Sequence, residues 1–139
     1  MKASIRWIDE VTFSAESGSG HTVMIDGPES AGGRNKGIRP MELVLLGVGG
    51  CTSFDVISIL QKSRQQITDC VAEIEAERAG DVPSVFTRIH FHFLVSGRNL
   101  KQTAVKRAID LSAEKYCSAS IMLGRAGVEI THSFDILEG

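Results

Sequence analysis

Met41-Glu-Leu-Val-Leu-Leu-Gly-Val-Gly-Gly-Cys-Thr-Ser-Phe-Asp-Val-Ile-Ser-Ile-Leu60 is an almost continuous apolar segment, broken by Gly47, Gly49 and Gly50 just ahead of a cysteine. Arg39-Pro40 before it suits a helix start: proline lacks an N–H where a helix has no partner for one, and Glu42 complements the positive end. The spacing predicts one long helix from Met41 to about Gln65, with a possible bend at the glycines. Leu43, Val44, Leu45, Leu46 and Val48 leave no polar side, and Val56, Ile57, Ile59 and Leu60 continue the run. A helix apolar all round must be covered all round. A chain of 139 residues can hardly do this alone. A homodimer is therefore expected, the helix shielded partly by its twin and the glycines allowing close backbone approach.

Period-two segments precede the helix: Ala3, Ile5 and Trp7, then Val11 and Phe13, then Val23 and Ile25. Ser17-Gly-Ser-Gly20 reads as a hairpin turn between the later two, giving a small antiparallel sheet. A loop rich in glycine and charge runs from Gly27 to Gly37. Beyond the helix, Thr68 to Arg78 and Phe86 to Val95 read as strands joined through Gly80-Asp-Val-Pro83. On the first, Cys70, Ala72, Ile74 and Ala76 share a face and Glu73, Glu75 and Glu77 share the other, so Cys70 reads as a core residue. A second helix is expected from about Leu100 to Tyr116, burying Val105, Ala108, Ile109 and Tyr116. A short Ser/Ala segment and a closing strand, Val128 to Ile136, complete an α+β domain over residues 1–139. Its expected elements are N-terminal antiparallel hairpins, a long central helix, further antiparallel strands and a second helix.

Hydrophobic content of 42% and charged content of 23% describe a globular chain. A net charge of -2 argues against nucleic acid and anionic membrane as partners, since both attract a basic surface. The charged, alternating N-terminus lacks the apolar core of a secretory signal, and Glu42 and Asp55 interrupt the one long apolar run. A cytoplasmic location is expected. Cysteines there stay reduced at rest, so a disulfide would be transient and catalytic rather than structural.

Two of the three cysteines, Cys51 and Cys117, lie too far apart in sequence for a metal knuckle or a redox dipeptide motif, and only the fold can bring them together. A reactive cysteine attacks as thiolate and needs a helix N-terminus, a cation or a base nearby. A break at Gly49-Gly50 would put Cys51 at the start of a fresh helical segment; an unbroken helix would leave it mid-helix with little help. Asp55, four residues on, would raise the Cys51 pKa unless it had a cation of its own or turned away. Cys117 is preceded by Lys115 and followed by Ser118-Ala-Ser120, which can cap a short helix and favour thiolate.

At these residues the chain resembles the OsmC/Ohr family of osmotically inducible and organic hydroperoxide resistance proteins. The resemblance rests on Pro40-Met-Glu-Leu, Gly49-Gly-Cys-Thr52 and Glu114-Lys-Tyr-Cys-Ser-Ala-Ser120, and it is nearest the OsmC-like subgroup. It implies an intertwined α+β homodimer with active sites at the subunit interface. It also implies that Cys51 attacks an organic hydroperoxide and becomes a sulfenic acid, that Cys117 condenses with it to a disulfide, and that an external dithiol restores both. No metal or flavin is implied.

In the better-understood members an arginine from the N-terminal hairpin and a glutamate directly after the helix-opening proline hold the attacking cysteine. Here the turn Glu16-Ser-Gly-Ser-Gly-His21 has no arginine, and the glutamate comes one place later, at Glu42. Arg39 is the best substitute cation, with Arg34 and Arg6 behind it. Arg88, His90 and His92 line one face of a strand without further ligands at zinc spacing, which favours a solvated or interface face over a metal site. The competing functional class is a non-catalytic dimeric protein that binds a small apolar ligand at its interface.

Overall fold

Three antiparallel strands, β1 (Ala3–Asp9), β2 (Thr12–Ser17) and β3 (Thr22–Ile25), pair in sequence order, with the expected glycine turn between β2 and β3. The computed structural model describes every residue from Met1 to Gly139. Its residues group into two compact units, Met1–Leu46 and Gly47–Gly139.

The first unit is organised around Asp26, which is buried. Its carboxylate accepts from Thr12 Oγ1 (3.0 Å) and from the backbone N–H groups of Gly27 (2.7 Å), Lys36 (3.1 Å) and Arg34 (3.3 Å). Burial alone would raise its pKa, but these donors outweigh burial and hold the acid below its usual range. The loop from Gly27 to Gly37 is thus tied to one carboxylate, an anchor hidden in what reads as a glycine-rich connection. Gly33 fits because a Cβ there would run into the Gly27 backbone. Arg34 pairs with Asp9 through its guanidinium, and Arg6 lies on the exposed strand β1.

Helix α1 spans Pro40–Lys62 without interruption, so the glycines neither break it nor start a new segment. Val48, Thr52, Val56 and Leu60, four residues apart, form its buried stripe. Gly49 meets the Ile74 side chain so closely that a Cβ would collide with it. By length and composition alone this helix could cross a membrane, contrary to the expectation that no segment is long and apolar enough for a span. A core helix passes the same test, and the buried stripe gives it that role.

The second unit's sheet contains β4 (Gln66–Arg78), β5 (Phe86–Arg98) and β6 (Glu129–Glu138) in that order. Strands β4 and β5 are antiparallel, and Glu73, Glu75 and Glu77 stand opposite His92, His90 and Arg88. Ile89, Phe91, Phe93 and Val95 fill the other face and are fully buried. Strand β6 departs from the expected antiparallel pattern by joining β5 in parallel. The chain between them crosses back through helices, and such a connection returns the next strand in the same direction.

That crossover comprises α2 (Gln102–Leu111), a π-helical turn (Ser112–Tyr116) and α3 (Ser118–Arg125). The single helix expected to Tyr116 therefore ends early, and the Ser/Ala segment is a helix of its own. Val105, Ala108 and Ile109 are buried as expected, whereas Tyr116 is exposed because the wider turn carries it out of phase with their stripe.

His132 on β6 stacks on Phe91 (centroids 5.2 Å apart) and leaves a buried Nε2 without a partner. Burial, then the proximity of His90, lowers its pKa below the ordinary 6.5, with Asp110 acting in the opposite sense. The unfolded chain therefore takes up a proton that folded His132 resists, and stability decreases as the pH falls below 6.5. In urea titrations at pH 7 and pH 5, His132→Phe should shrink the loss between the two. An unchanged loss would assign the acid sensitivity to other groups.

Candidate active site: Cys51, Asp55 and Cys117

The fold brings two of the distant thiols together. The sulfurs of Cys51 and Cys117 and a carboxylate oxygen of Asp55 lie within 4.8 Å of one another. Cys51 and Asp55 are one turn apart on α1, and Cys117 enters from the crossover as the N-cap of α3. All three cysteines are free thiols; Cys117 is fully buried, while Cys51 is partly exposed. Cys70, on β4, stands apart from this cluster and is half-buried.

Local donors distinguish the two sulfurs. Thr52 Oγ1 lies 3.2 Å from Cys117 Sγ, and the Ser120 backbone N–H donates to the same sulfur at 3.4 Å. Burial would raise the Cys117 pKa, but Ser120, Thr52 and Cys51 together outweigh it and hold this thiol below its usual value. For Cys51 the balance is the reverse. Burial pushes it up, the neighbouring Cys117 and Asp55 add to that, and the Ala119 backbone N–H opposes them without prevailing. The helix start that aids a thiolate here is thus that of α3, whose first-turn amides serve both sulfurs, and not a break in α1.

Asp55 does raise Cys51, as its position four residues on implied. It has no basic partner within salt-bridge reach; its Oδ2 accepts instead from Ser112 Oγ at 2.9 Å. Glu42 Oε1 accepts from the Arg39 backbone N–H at 2.8 Å, capping the start of α1. The Arg39 guanidinium donates to Asn35 Oδ1 at 2.9 Å and to the Gly37 carbonyl at 3.2 Å. Both residues therefore hold the helix entry. Lys115 lies over the Tyr116 ring, its Nζ 5.2 Å from the centroid.

Sequence reasoning missed Thr52 and Ser112 as site residues. Thr52 carries a signal in retrospect, since it is a hydroxyl on the otherwise apolar buried stripe of α1. Ser112 carries none, because its placement depends on the π-helical turn. His90 and His92 form a ladder with the neighbouring strand. His90 meets Thr131 Oγ1 (2.6 Å) and Ser133 Oγ (2.9 Å), and His92 meets Ser133 Oγ (2.6 Å) and Asp135 (3.0 Å). Every ring nitrogen of the pair is thereby engaged.

Next to the cluster is a groove of about 410 Å³ whose wall includes Asp55. Phe54, Ile59, Leu111 and Tyr116 give it an apolar side, and Lys62 and Arg107 stand within its lining.

A partly exposed thiol beside a buried one is an arrangement suited to two-cysteine redox chemistry. The chain belongs to the OsmC-like protein family, whose model matches residues 33–133. It is 48% identical over 137 residues to protein YhfA of Escherichia coli K12, covering 99% of this chain and 98% of that one. A solved structure of a hypothetical protein from Aquifex aeolicus VF5 matches with a TM-score of 0.86 and 26% identity, over 99% of this chain and 96% of that one. The organic hydroperoxide resistance protein OsmC of Legionella pneumophila shares the fold, with a TM-score of 0.73 and 17% identity over 96% and 95% of the two chains.

Proposed function

We propose that the protein is a thiol peroxidase that reduces organic hydroperoxides, with Cys51 oxidised first and Cys117 resolving. The observation that carries this reading is the pairing of a partly exposed sulfur with a buried one inside 4.8 Å. Membership of the OsmC-like family supports it, as does the fold shared with a protein named for organic hydroperoxide resistance.

The donors around the pair favour the proton on Cys51 and ionisation of Cys117, so Cys117, once ionised, acts as the base. When a hydroperoxide arrives, the Cys51 proton passes to Cys117 and the Cys51 thiolate attacks the distal oxygen. An S–O bond forms, the O–O bond breaks, and the departing alkoxide takes the proton from Cys117 to leave as an alcohol. Cys117, again a thiolate, then attacks the Cys51 sulfenic acid. The S–S bond forms, the S–O bond breaks, and the released hydroxide is protonated to water. A dithiol from outside returns two electrons and two protons through a mixed disulfide.

The groove beside Asp55 receives the organic part of the peroxide, and its apolar wall favours bulky substrates over hydrogen peroxide. The working form is a homodimer. Phe54 is 76% exposed and Leu46 60% exposed on α1, and open space at Gly47 and Gly50 leaves room for a second backbone. The reduced cysteines this cycle starts from fit the cytoplasm.

Peptide mapping tests the redox step. One equivalent of cumene hydroperoxide added to the reduced protein should yield a peptide joining Cys51 to Cys117, with Cys70 still alkylatable. A map in which that pair never forms would end this reading.

A further inference from the structure

We propose that Cys51, Cys117 and Asp55 form a binding site for a thiophilic divalent cation, zinc foremost, with a fourth coordination position left open. This goes beyond the peroxidase reading, shares its residues and does not depend on it.

The donor set is two sulfurs and one carboxylate oxygen, and zinc takes such ligands in tetrahedral sites at about 2.3 Å for sulfur and 2.0–2.2 Å for oxygen. Bonds of that length place neighbouring donors roughly 3.5–3.8 Å apart. The three donors already lie within 4.8 Å of one another, so side-chain rotations of about 1 Å close the site. The scaffold is rigid, because two ligands project from adjacent turns of α1 and the third is the N-cap of α3.

Each deeper ligand also has an outer partner that orients it, as metal sites require. Ser112 Oγ donates to Asp55 Oδ2 at 2.9 Å and fixes the carboxylate. Thr52 Oγ1 holds Cys117 Sγ at 3.2 Å. Asp55 is the member of the cluster that peroxide chemistry leaves unexplained. Its carboxylate has no basic partner, and its charge becomes favourable once a dication lies between the three groups.

Binding releases the remaining thiol protons, since both sulfurs coordinate as thiolates. Oxidation to the disulfide consumes both sulfur ligands and ejects the ion. The site would thus hold metal only in the reduced protein, and bound metal would block peroxide from Cys51.

The test titrates the reduced protein with Zn²⁺ against a chromophoric chelator, and with Co²⁺ for a thiolate-to-metal charge-transfer band. One equivalent per chain should bind. Cys51→Ser and Cys117→Ser should each weaken binding by at least about a hundredfold, beyond the 10–100-fold typical of losing an outer partner. Asp55→Asn should weaken it by roughly tenfold or more. Cys70→Ser should bind as wild type, and wild-type protein oxidised to the Cys51–Cys117 disulfide, which needs no substitution, should not bind. Zinc affinity equal in the reduced wild type and Cys51→Ser overturns the proposal, as does wild-type affinity in Asp55→Asn or a Co²⁺ complex without the sulfur band. No peroxide enters the titration, so an inactive peroxidase leaves this site standing, and failure to bind zinc leaves the peroxidase reading untouched.

Discussion

Serine in place of Cys51 reduces organic hydroperoxide consumption to background, whereas serine in place of Cys117 slows the first turnover without abolishing it. The reason is the division of labour between the two sulfurs. Cys51 is the one open to solvent, so an incoming peroxide meets it first, and a serine hydroxyl has neither the acidity nor the polarisability to break the O–O bond. Cys117 is sealed in, takes part in the first step as the base and then attacks the Cys51 sulfenic acid. Without it, one equivalent of peroxide is still consumed, but a Cys51 sulfenic acid accumulates and can be trapped with a sulfenic-acid reagent. Steady-state turnover with a dithiol then falls by roughly tenfold or more, because no internal disulfide presents itself for reduction. The wild-type rate should rise with pH, since burial, Cys117 and Asp55 hold the Cys51 thiol above its usual range and more base means more thiolate. Equal multiple-turnover rates in the wild type and both variants would remove the catalytic roles of these sulfurs.

The second large effect concerns stability. Leu60→Ala should cost about 2–5 kcal/mol, the range for truncating a fully buried leucine. Leu60 is completely covered and ends the Val48, Thr52, Val56 and Leu60 stripe that seats the helix carrying Cys51. For a chain of this size such a loss lowers Tm by on the order of 10 °C. Leu60→Met, which conserves volume, should cost less than about 1.5 kcal/mol. Denaturant melts of the two variants separate cavity formation from mere alteration of the residue. A loss below about 1 kcal/mol in Leu60→Ala would mean that the stripe does not anchor the helix.

What the residues disclosed on their own followed from local physics. Proline and continuous apolarity marked where α1 begins, alternation marked β4 and β5, and the Glu73–Glu77 and Arg88–His92 faces proved to be opposite one another across the ladder. What stayed hidden was decided by distant contacts. Three glycines permit a break in α1 as readily as continuity, and the packing of Gly49 on Ile74 accompanies the unbroken form. The direction of β6 is not written in its own residues, because it follows from the crossover that delivers it. The candidate sulfurs could be named from their motifs, yet their relative acidity depended on Thr52, Ala119 and Ser120. Two of the three cationic substitutes, Arg39 and Arg34, looked free in the sequence because Asn35 and Asp9 are unremarkable neighbours until folding brings them into reach.

The π-helical turn Ser112–Tyr116 makes chain length matter here as much as residue identity. One wider turn lets the backbone absorb a surplus residue between α2 and α3 without unwinding either. Deleting one residue between Ala113 and Tyr116 would shorten the connection that delivers Cys117 to the start of α3. Cys117 would then lose its place beside Cys51, although every side chain at the site had been preserved.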